Sequence, residues 1–229
     1  MHQPPGDPPD PPPASARVAE ARALAERSAI AAGEGQIDQA RRGFEQAVAQ
    51  GGDDVRVLFL CFQFHFRIGE LEPAEEFARR RLVAAGQDAQ TPHAARAHTN
   101  LGLVLQYRGK LDEAEGAMRR ALAINTRLRN DYGIARDLGN LSLVAEARGD
   151  LDQAEQLLNQ ALVIAERIGA EDIMATKLTN LGEIALARGR AGDARKLWSR
   201  AVEIFERIGP AKHRDKFTKR LRELDEREA

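Results

Sequence analysis

The sequence predicts an all-α protein, built as a solenoid of five helical hairpins with one more helix at the C-terminus. Three observations predict this fold. A segment of 40 residues recurs along the chain, a glycine marks the same point of each copy, and the helix formers Ala, Arg, Glu and Leu dominate the composition. One hairpin cannot bury its apolar face alone, so repeated hairpins are expected to stack on one another.

The N-terminal residues 1–14 are predicted to stay outside the solenoid as a disordered or polyproline-II tail. They contain seven of the ten prolines of the chain, and proline disrupts helices because it lacks an N–H donor. The segment also has little apolar surface to bury. Ser15 follows the tail and is a candidate N-cap for the first helix.

Three copies of the repeat align without a gap. They read NLGLVLQYRGKLDEAEGAMRRAL from Asn100, NLSLVAEARGDLDQAEQLLNQAL from Asn140 and NLGEIALARGRAGDARKLWSRAV from Asn180. Two earlier copies match the middle of the unit in GEGQIDQARRGF and RIGELEPAEEF. A glycine stands in each copy where the first helix should turn into the second: Gly35, Gly69, Gly109, Gly149 and Gly189. The solenoid is therefore predicted to span residues 15–210.

The repeat resembles the tetratricopeptide repeat, a helix–turn–helix unit of about 34 residues. On the first helix a leucine precedes a small residue, as in Leu181 and Gly182, and the second helix carries alanines around a bulky residue, as in Ala194, Trp198 and Ala201. The 40-residue spacing is similar to the longer repeats of kinesin light chains and bacterial regulatory proteins. The resemblance implies a right-handed superhelix whose concave groove is lined by the first helix of each repeat.

The most apolar stretch of the chain, VLFLCFQFHF at Val57–Phe66, has an ambiguous pattern. Three of its phenylalanines alternate with polar residues, as in a half-buried β-strand. Aligning Gly69 with the other turn glycines instead places the stretch on the first helix of the second repeat, where Phe64 matches Val104 and Val144. A lone strand would have no partner there, so we predict a helix.

Residues 211–229 are predicted to form a capping helix. Phe217, Leu221 and Leu224 recur at helical spacing, and polar residues occupy the other faces. A solenoid needs such a polar face at its end. A basic helix that binds nucleic acid is the alternative, although acidic residues such as Asp215 and Glu223 dilute its charge.

Two rows of side chains recur at positions that the resemblance places in the groove. One row consists of Arg22, Arg56, Arg96, Arg136 and, in the fifth copy, Thr176; the other consists of Asn100, Asn140 and Asn180, four residues later. Residues four apart share a helix face. An asparagine amide both donates and accepts, so such a row can hold a peptide backbone, while arginine can bind carboxylates in a bidentate manner.

The complete set of predicted groove residues combines these rows with their neighbours on the first helices. The set is Arg56, Phe59, Gln63, Phe66, Arg67, Arg96, Asn100, Leu103, Tyr107, Arg136, Asn140, Leu143, Asn180 and Glu183. Phe59 and Phe66 are candidates for an apolar pocket. Two alternatives stay open: the asparagines bridge neighbouring helices, and the arginines form a solvated face paired with glutamates.

Composition and motifs argue against catalysis, cofactors and metals. The sequence has no glycine-rich phosphate loop, nucleophile elbow or His/Cys cluster, so we expect no enzyme, no cofactor and no metal site. A net charge of −1 argues against nucleic acid as the partner. The single cysteine, Cys61, cannot form an intrachain disulfide, and no apolar run reaches the ~20 residues of a membrane span.

We expect a non-catalytic scaffold that binds a peptide or protein segment in the groove, with an acidic group or a C-terminal carboxylate facing the arginines. A cytoplasmic location is expected, because the N-terminal residues lack the apolar core of a signal peptide. The Ala- and Arg-rich usage is typical of a bacterium with GC-rich DNA. A regulatory module for a partner enzyme or transcription factor, and a self-assembling scaffold that forms homo-oligomers, are the alternative functions.

Overall fold

The computed structural model describes residues 13–209 and 211–228, apart from the side chains of residues 225, 227 and 228. Every regular element in these ranges is an α-helix, which confirms the all-α prediction. The helices follow one another as α1 (Ala14–Gly33), α2 (Ile37–Gly51), α3 (Val55–Arg67), α4 (Leu71–Ala84), α5 (Pro92–Tyr107), α6 (Leu111–Arg127), α7 (Asp131–Ala147), α8 (Leu151–Ile168), α9 (Glu171–Ala187), α10 (Ala191–Ile208) and α11 (Ala211–Glu228). Residues 1–12 of the predicted tail lie outside the described residues.

The turn glycines end each first helix. All five have a positive φ, between 73° and 83°, a backbone conformation that glycine adopts without steric cost. At Gly109 the amide of the following residue, Lys110, donates to the carbonyl of Leu105 at 2.9 Å. This bond closes the end of α5 and lets the chain reverse directly into α6.

Side-chain caps begin several helices. Asp54 accepts from the amides of Arg56 and Val57 at the start of α3, each at 3.1 Å. Thr91 accepts from the amide of Ala94 at 3.2 Å, directly before the proline that opens α5. Both acceptors satisfy amides that have no partner within the helix.

The prediction that Ser15 caps α1 was wrong. The helix already begins at Ala14, and Pro13 occupies the cap position without a side-chain hydrogen bond. The rigid φ of proline suits the entry to a helix, so no polar cap is required for α1 to begin there.

The apolar stretch Val57–Phe66 lies inside α3, so the strand alternative is wrong. Most of the stretch is buried, namely Val57, Leu58, Leu60, Cys61, Phe62, Phe64 and His65. Phe64 is 2% exposed, and its ring centroid lies 5.0 Å from that of Phe44 on α2. Phe62 is also buried.

The helices group into two compact units, Met1–Gly86 and Gln87–Ala229. In the first unit α1 packs on α2 and α3, and α3 packs on α4. In the second unit each helix from α5 to α10 packs on the next, and α7 also contacts both α5 and α9. Trp198, which is 1% exposed, anchors the core of the second unit together with Leu158 and Leu178. Among the described residues, none of the helices has the length and apolarity that a membrane crossing requires.

Candidate functional site

The first helices α5, α7 and α9 of the second unit present equivalent residues at intervals of 40 positions. Leu101, Leu141 and Leu181 are buried to a similar degree, with 5–6% exposure. Two positions later, residues 103, 143 and 183 are all half-buried. Equivalent positions therefore have the same environment on each helix, as expected for stacked repeats.

The three asparagines of the predicted row share one position on these helices. Asn140 and Asn180 are half-buried, and Asn100 is 9% exposed. The Nδ2 group of Asn100 has no hydrogen-bond partner in the described part of the chain. A buried donor without a partner is costly, and a ligand that supplies an acceptor would remove that cost.

One member of the arginine row, Arg136, is held by hydrogen bonds to neighbouring side chains. One Nη of Arg136 donates to Oδ1 of Asp137 at 3.0 Å and to Oγ1 of Thr99, on α5, at 3.1 Å. Arg96 is exposed at the equivalent position of α5. Thr176, the fifth member, donates to the carbonyl of Asp172 on its own helix at 2.9 Å.

Acidic side chains lie in the C-terminal halves of α7 and α9. Glu183 on α9 accepts a hydrogen bond from Arg220 on α11. Burial, together with the charge of Glu183, raises the pKa of Glu146 on α7. The Oε1 atoms of Glu146 and Gln106 are buried without a hydrogen-bond partner among the described residues.

Apolar and aromatic side chains flank the asparagines. Leu103 and Leu143 are half-buried, while Tyr107 is 61% exposed. Tyr132, which sequence reasoning missed, is 46% exposed and donates from its hydroxyl to Oδ2 of Asp172 at 2.5 Å. Tyr132 and Asp172 are 40 positions apart and so occupy the same position in successive repeats. Extending the repeat alignment toward the start of the first helices would have identified the pair.

The remaining predicted residues belong to the first unit. Arg56 pairs with Glu26 at 3.4 Å, and the guanidinium of Arg81 lies 4.8 Å from the ring centroid of half-buried Phe59. Phe66 is half-buried and stacks on the ring of Phe62 with 5.5 Å between centroids. Gln63 and Arg67 are exposed. These five predicted residues therefore lie together on α3, whereas the other predicted residues lie on α5, α7 and α9.

Residues 93–167 match the family model described as tetratricopeptide repeat. This part of the chain consists of tetratricopeptide repeats. The resemblance in sequence is thereby confirmed for α5 to α8, the helices that carry Asn100 and Asn140. Comparison with curated proteins gives no match.

Several solved structures share the fold. BtubC from P. vanneervenii is 21% identical, with a TM-score of 0.67 over 86% of this chain and 90% of that chain. A Podosopora anserina protein described as a kinesin light chain with nearly identical TPR-like repeats is 16% identical, with a TM-score of 0.69 over 84% and 97%. A Rap protein solved with Competence and Sporulation Factor is 14% identical, with a TM-score of 0.62 over 89% and 74%. At these identities the likeness concerns the fold alone.

The tetratricopeptide-repeat fold is generally a scaffold for protein interactions rather than a catalyst. The described residues contain no group of three His, Cys, Asp or Glu side chains placed to hold a metal ion.

Proposed function

We propose that this chain is a non-catalytic scaffold that binds an extended segment of a protein partner along α5, α7 and α9. One observation supports this proposal most directly: the buried Nδ2 donor of Asn100 has no partner and belongs to a row of three equivalent asparagines. An extended peptide presents backbone carbonyl and N–H groups at regular intervals, and asparagine can bond to both.

The surrounding residues suggest how the segment would be held. Leu103 and Leu143 offer half-buried apolar contacts beside the asparagines. Arg96 is exposed, and Arg136 is held in one orientation by Asp137, so both suit an acidic group or a C-terminal carboxylate. The complex of the similar Rap protein with Competence and Sporulation Factor supports a binding role for this fold. A cytoplasmic site of action stays a prediction from sequence.

The test is a capture experiment with the full chain and lysate of the source organism. The double variant Asn140→Ala/Arg136→Ala should lower affinity for the captured partner at least tenfold, or about 1.4 kcal/mol, because it removes an amide and a guanidinium from the groove. Circular dichroism should show unchanged helicity.

Two further variants make the test specific. Asn140→Ala/Asn180→Ala leaves the Arg136–Asp137 bond intact, so a loss of binding there cannot arise from breaking it. Arg127→Ala/Asn159→Ala removes the same two residue types from exposed positions on α6 and α8, and should bind as the wild type does. Equal binding by all four proteins would contradict the proposal.

A further inference from the structure

One face of α1 is exposed at positions that are buried in later first helices. Ile30 is 63% exposed, whereas its equivalents Phe64 on α3 and Val144 on α7 are 2% and 1% exposed. Ala23, two turns earlier on the same face of α1, is also exposed, while Val57 at the equivalent position of α3 is fully buried. An apolar face that is covered in later repeats is therefore uncovered in the first repeat.

The cover of this face in later repeats comes from the second helix that precedes it in the chain. The ring of Phe64 on α3 lies 5.0 Å from that of Phe44 on α2, between centroids. In the second unit α6 packs on α7, and α8 packs on α9, in the same order. The chain before α1 consists of residues 1–13, so this segment holds the place in sequence that a covering second helix holds elsewhere.

A groove of about 320 Å³ lies beside the exposed face, between α1 and α2. Arg27, Ala31 and Arg42 are among its lining residues, all of which belong to these two helices. The equivalent residues of α9 and α10 line a groove whose other wall is formed by Glu155 and Asn159 of α8. The first groove is thus the surface that would receive a preceding second helix.

The segment before α1 has the composition of a different kind of cover. Residues 1–12 contain six prolines and so cannot form a second helix. Proline-rich chain favours the polyproline-II conformation, which presents apolar rings along an extended backbone. Pro13, the last residue before α1, has φ −56° and ψ 150°, and the chain therefore enters the helix in this conformation.

The length of the segment matches the length of the exposed face. Asp7 precedes Ala14 by seven residues, which span ~22 Å at the ~3.1 Å per residue of polyproline II. Arg27 follows Ala14 by thirteen residues, or ~20 Å along α1 at ~1.5 Å per residue. A chain that folds back along α1 would therefore bring Asp7 beside Arg27 and the prolines before it beside Ile30.

Charge favours the segment over a second copy of the protein as the cover. Arg27 and Arg42 are exposed, and neither is paired with a carboxylate of the described residues. Residues 1–12 carry Asp7 and Asp10 and contain neither lysine nor arginine. A symmetric dimer through this face would instead bring the arginines of two copies together, which costs free energy.

We propose that residues 1–12 fold back over α1 and α2 and cover the first hairpin in place of a preceding second helix. The proline rings pack on Ile30 and Ala23 and fill the groove, and Asp7 lies beside Arg27. The segment thereby closes the N-terminal end of the stack, which would otherwise expose apolar surface to water. This role involves α1 and α2 and does not depend on the binding proposed for α5, α7 and α9.

The test measures how often the segment meets the face, using disulfide formation in the full chain in a glutathione buffer. The pair Pro9→Cys/Ala23→Cys joins the segment to the exposed face and leaves Asp7, Arg27 and Ile30 intact. The control pair Pro9→Cys/Arg22→Cys places the second thiol at the same distance along α1 but on the side that meets Asp54 before α3. The effective concentration of the two thiols should be at least about tenfold higher in the first pair. Cys61 is buried and is kept in both.

A third substitution tests whether the apolar contact holds the segment. Ile30→Gln, added to Pro9→Cys/Ala23→Cys, should lower the effective concentration to that of the control pair. Val83→Gln, which changes a 71% exposed valine on α4, should leave it unchanged. Circular dichroism of the reduced proteins should show equal helicity. Equal effective concentrations in the two cysteine pairs would overturn the proposal, and disulfides formed between chains would assign the face to a second copy instead.

Discussion

At the scale of single residues, the packing between paired helices depends on a glycine facing a large side chain. A Cβ atom added to Gly182 would lie 2.2 Å from Nε1 of Trp198, closer than real contacts allow. Trp198 is also fixed by a 3.1 Å hydrogen bond from Nε1 to the carbonyl of Thr179. The small residue before the turn and the bulky residue after it were both predicted from the repeat; the bond that orients the indole was not, because it depends on the rotamer.

Gly182→Ala should therefore destabilise the protein by about 1–3 kcal/mol, since the rigid indole must move away from the new methyl group. Urea unfolding followed by circular dichroism measures the change.

Gly116→Ala is the matched control. Gly116 is an exposed residue within α6 with nothing near its missing Cβ, so alanine should add about 0.5–1 kcal/mol through its helix propensity. Two variants of equal stability would contradict the packing account.

At the scale of elements, buried polar side chains join the first helices of the second unit. Asp137 on α7 is fully buried and accepts from Thr99 on α5 at 2.9 Å and from Asn125 on α6 at 2.6 Å. Its burial raises its pKa. Lys177 on α9 is 5% exposed, and its side chain occupies the space beside Gly139 on α7. A Cβ atom added to Gly139 would lie 1.9 Å from Nζ of Lys177, so only glycine leaves room for this lysine.

Burial, together with the charge of Arg136, lowers the pKa of Lys177 from 10.5 to about 8, although Asp137 and Asp172 oppose the shift. Between these two values the unfolded chain holds a proton that the folded protein has released. The free energy of unfolding should therefore rise as pH increases from 8 to 10.5, by about 3 kcal/mol from this group.

Lys177→Met should remove that rise and raise stability at pH 7, because the folded protein then holds no buried ammonium group. Urea unfolding at several pH values compares the variant with the wild type, and exposed Lys219→Met serves as the control for loss of a lysine. The same pH dependence in all three proteins would refute this explanation.

The helices themselves were largely predictable from the sequence, and the polar contacts between them were not. Turn glycines with positive φ, and caps such as Thr91, act within a few residues, so a linear pattern reveals them. Thr99 and Asp137 are 38 positions apart, and their bond depends on how α5 packs on α7. Asn100 was predicted as a groove residue, but the burial of its Nδ2 donor could not be predicted, because it too depends on how the helices pack.

At the scale of the whole molecule, the helices divide into two compact units at Gly86, a boundary that the repeat pattern does not mark. The segment between α4 and α5, residues 85–91, has no helix, and Gly86, Gln87 and Asp88 are exposed. In the second unit each helix is joined to the next by a shorter turn, such as Arg108–Lys110 between α5 and α6.

Among residues 13–209, limited digestion with proteinase K should first cut within residues 85–91, because exposed, non-helical backbone is cleaved before packed helices. Mass spectrometry should then find two persistent fragments that end and begin in this segment. Circular dichroism should show that helicity survives the first cut. A first cut inside α5 to α10 would contradict the division into units.

The sequence by itself determined the all-α class, the 40-residue period, the turn glycines and the helical state of Val57–Phe66. These features follow from backbone preferences and apolar spacing, which act over one or two helical turns. Only the tertiary structure decided that α11 joins Arg220 to Glu183, that Asp137 holds Arg136, and that the helices form two units. Each of these depends on residues distant in sequence meeting at helix interfaces, where packing and burial select the partner.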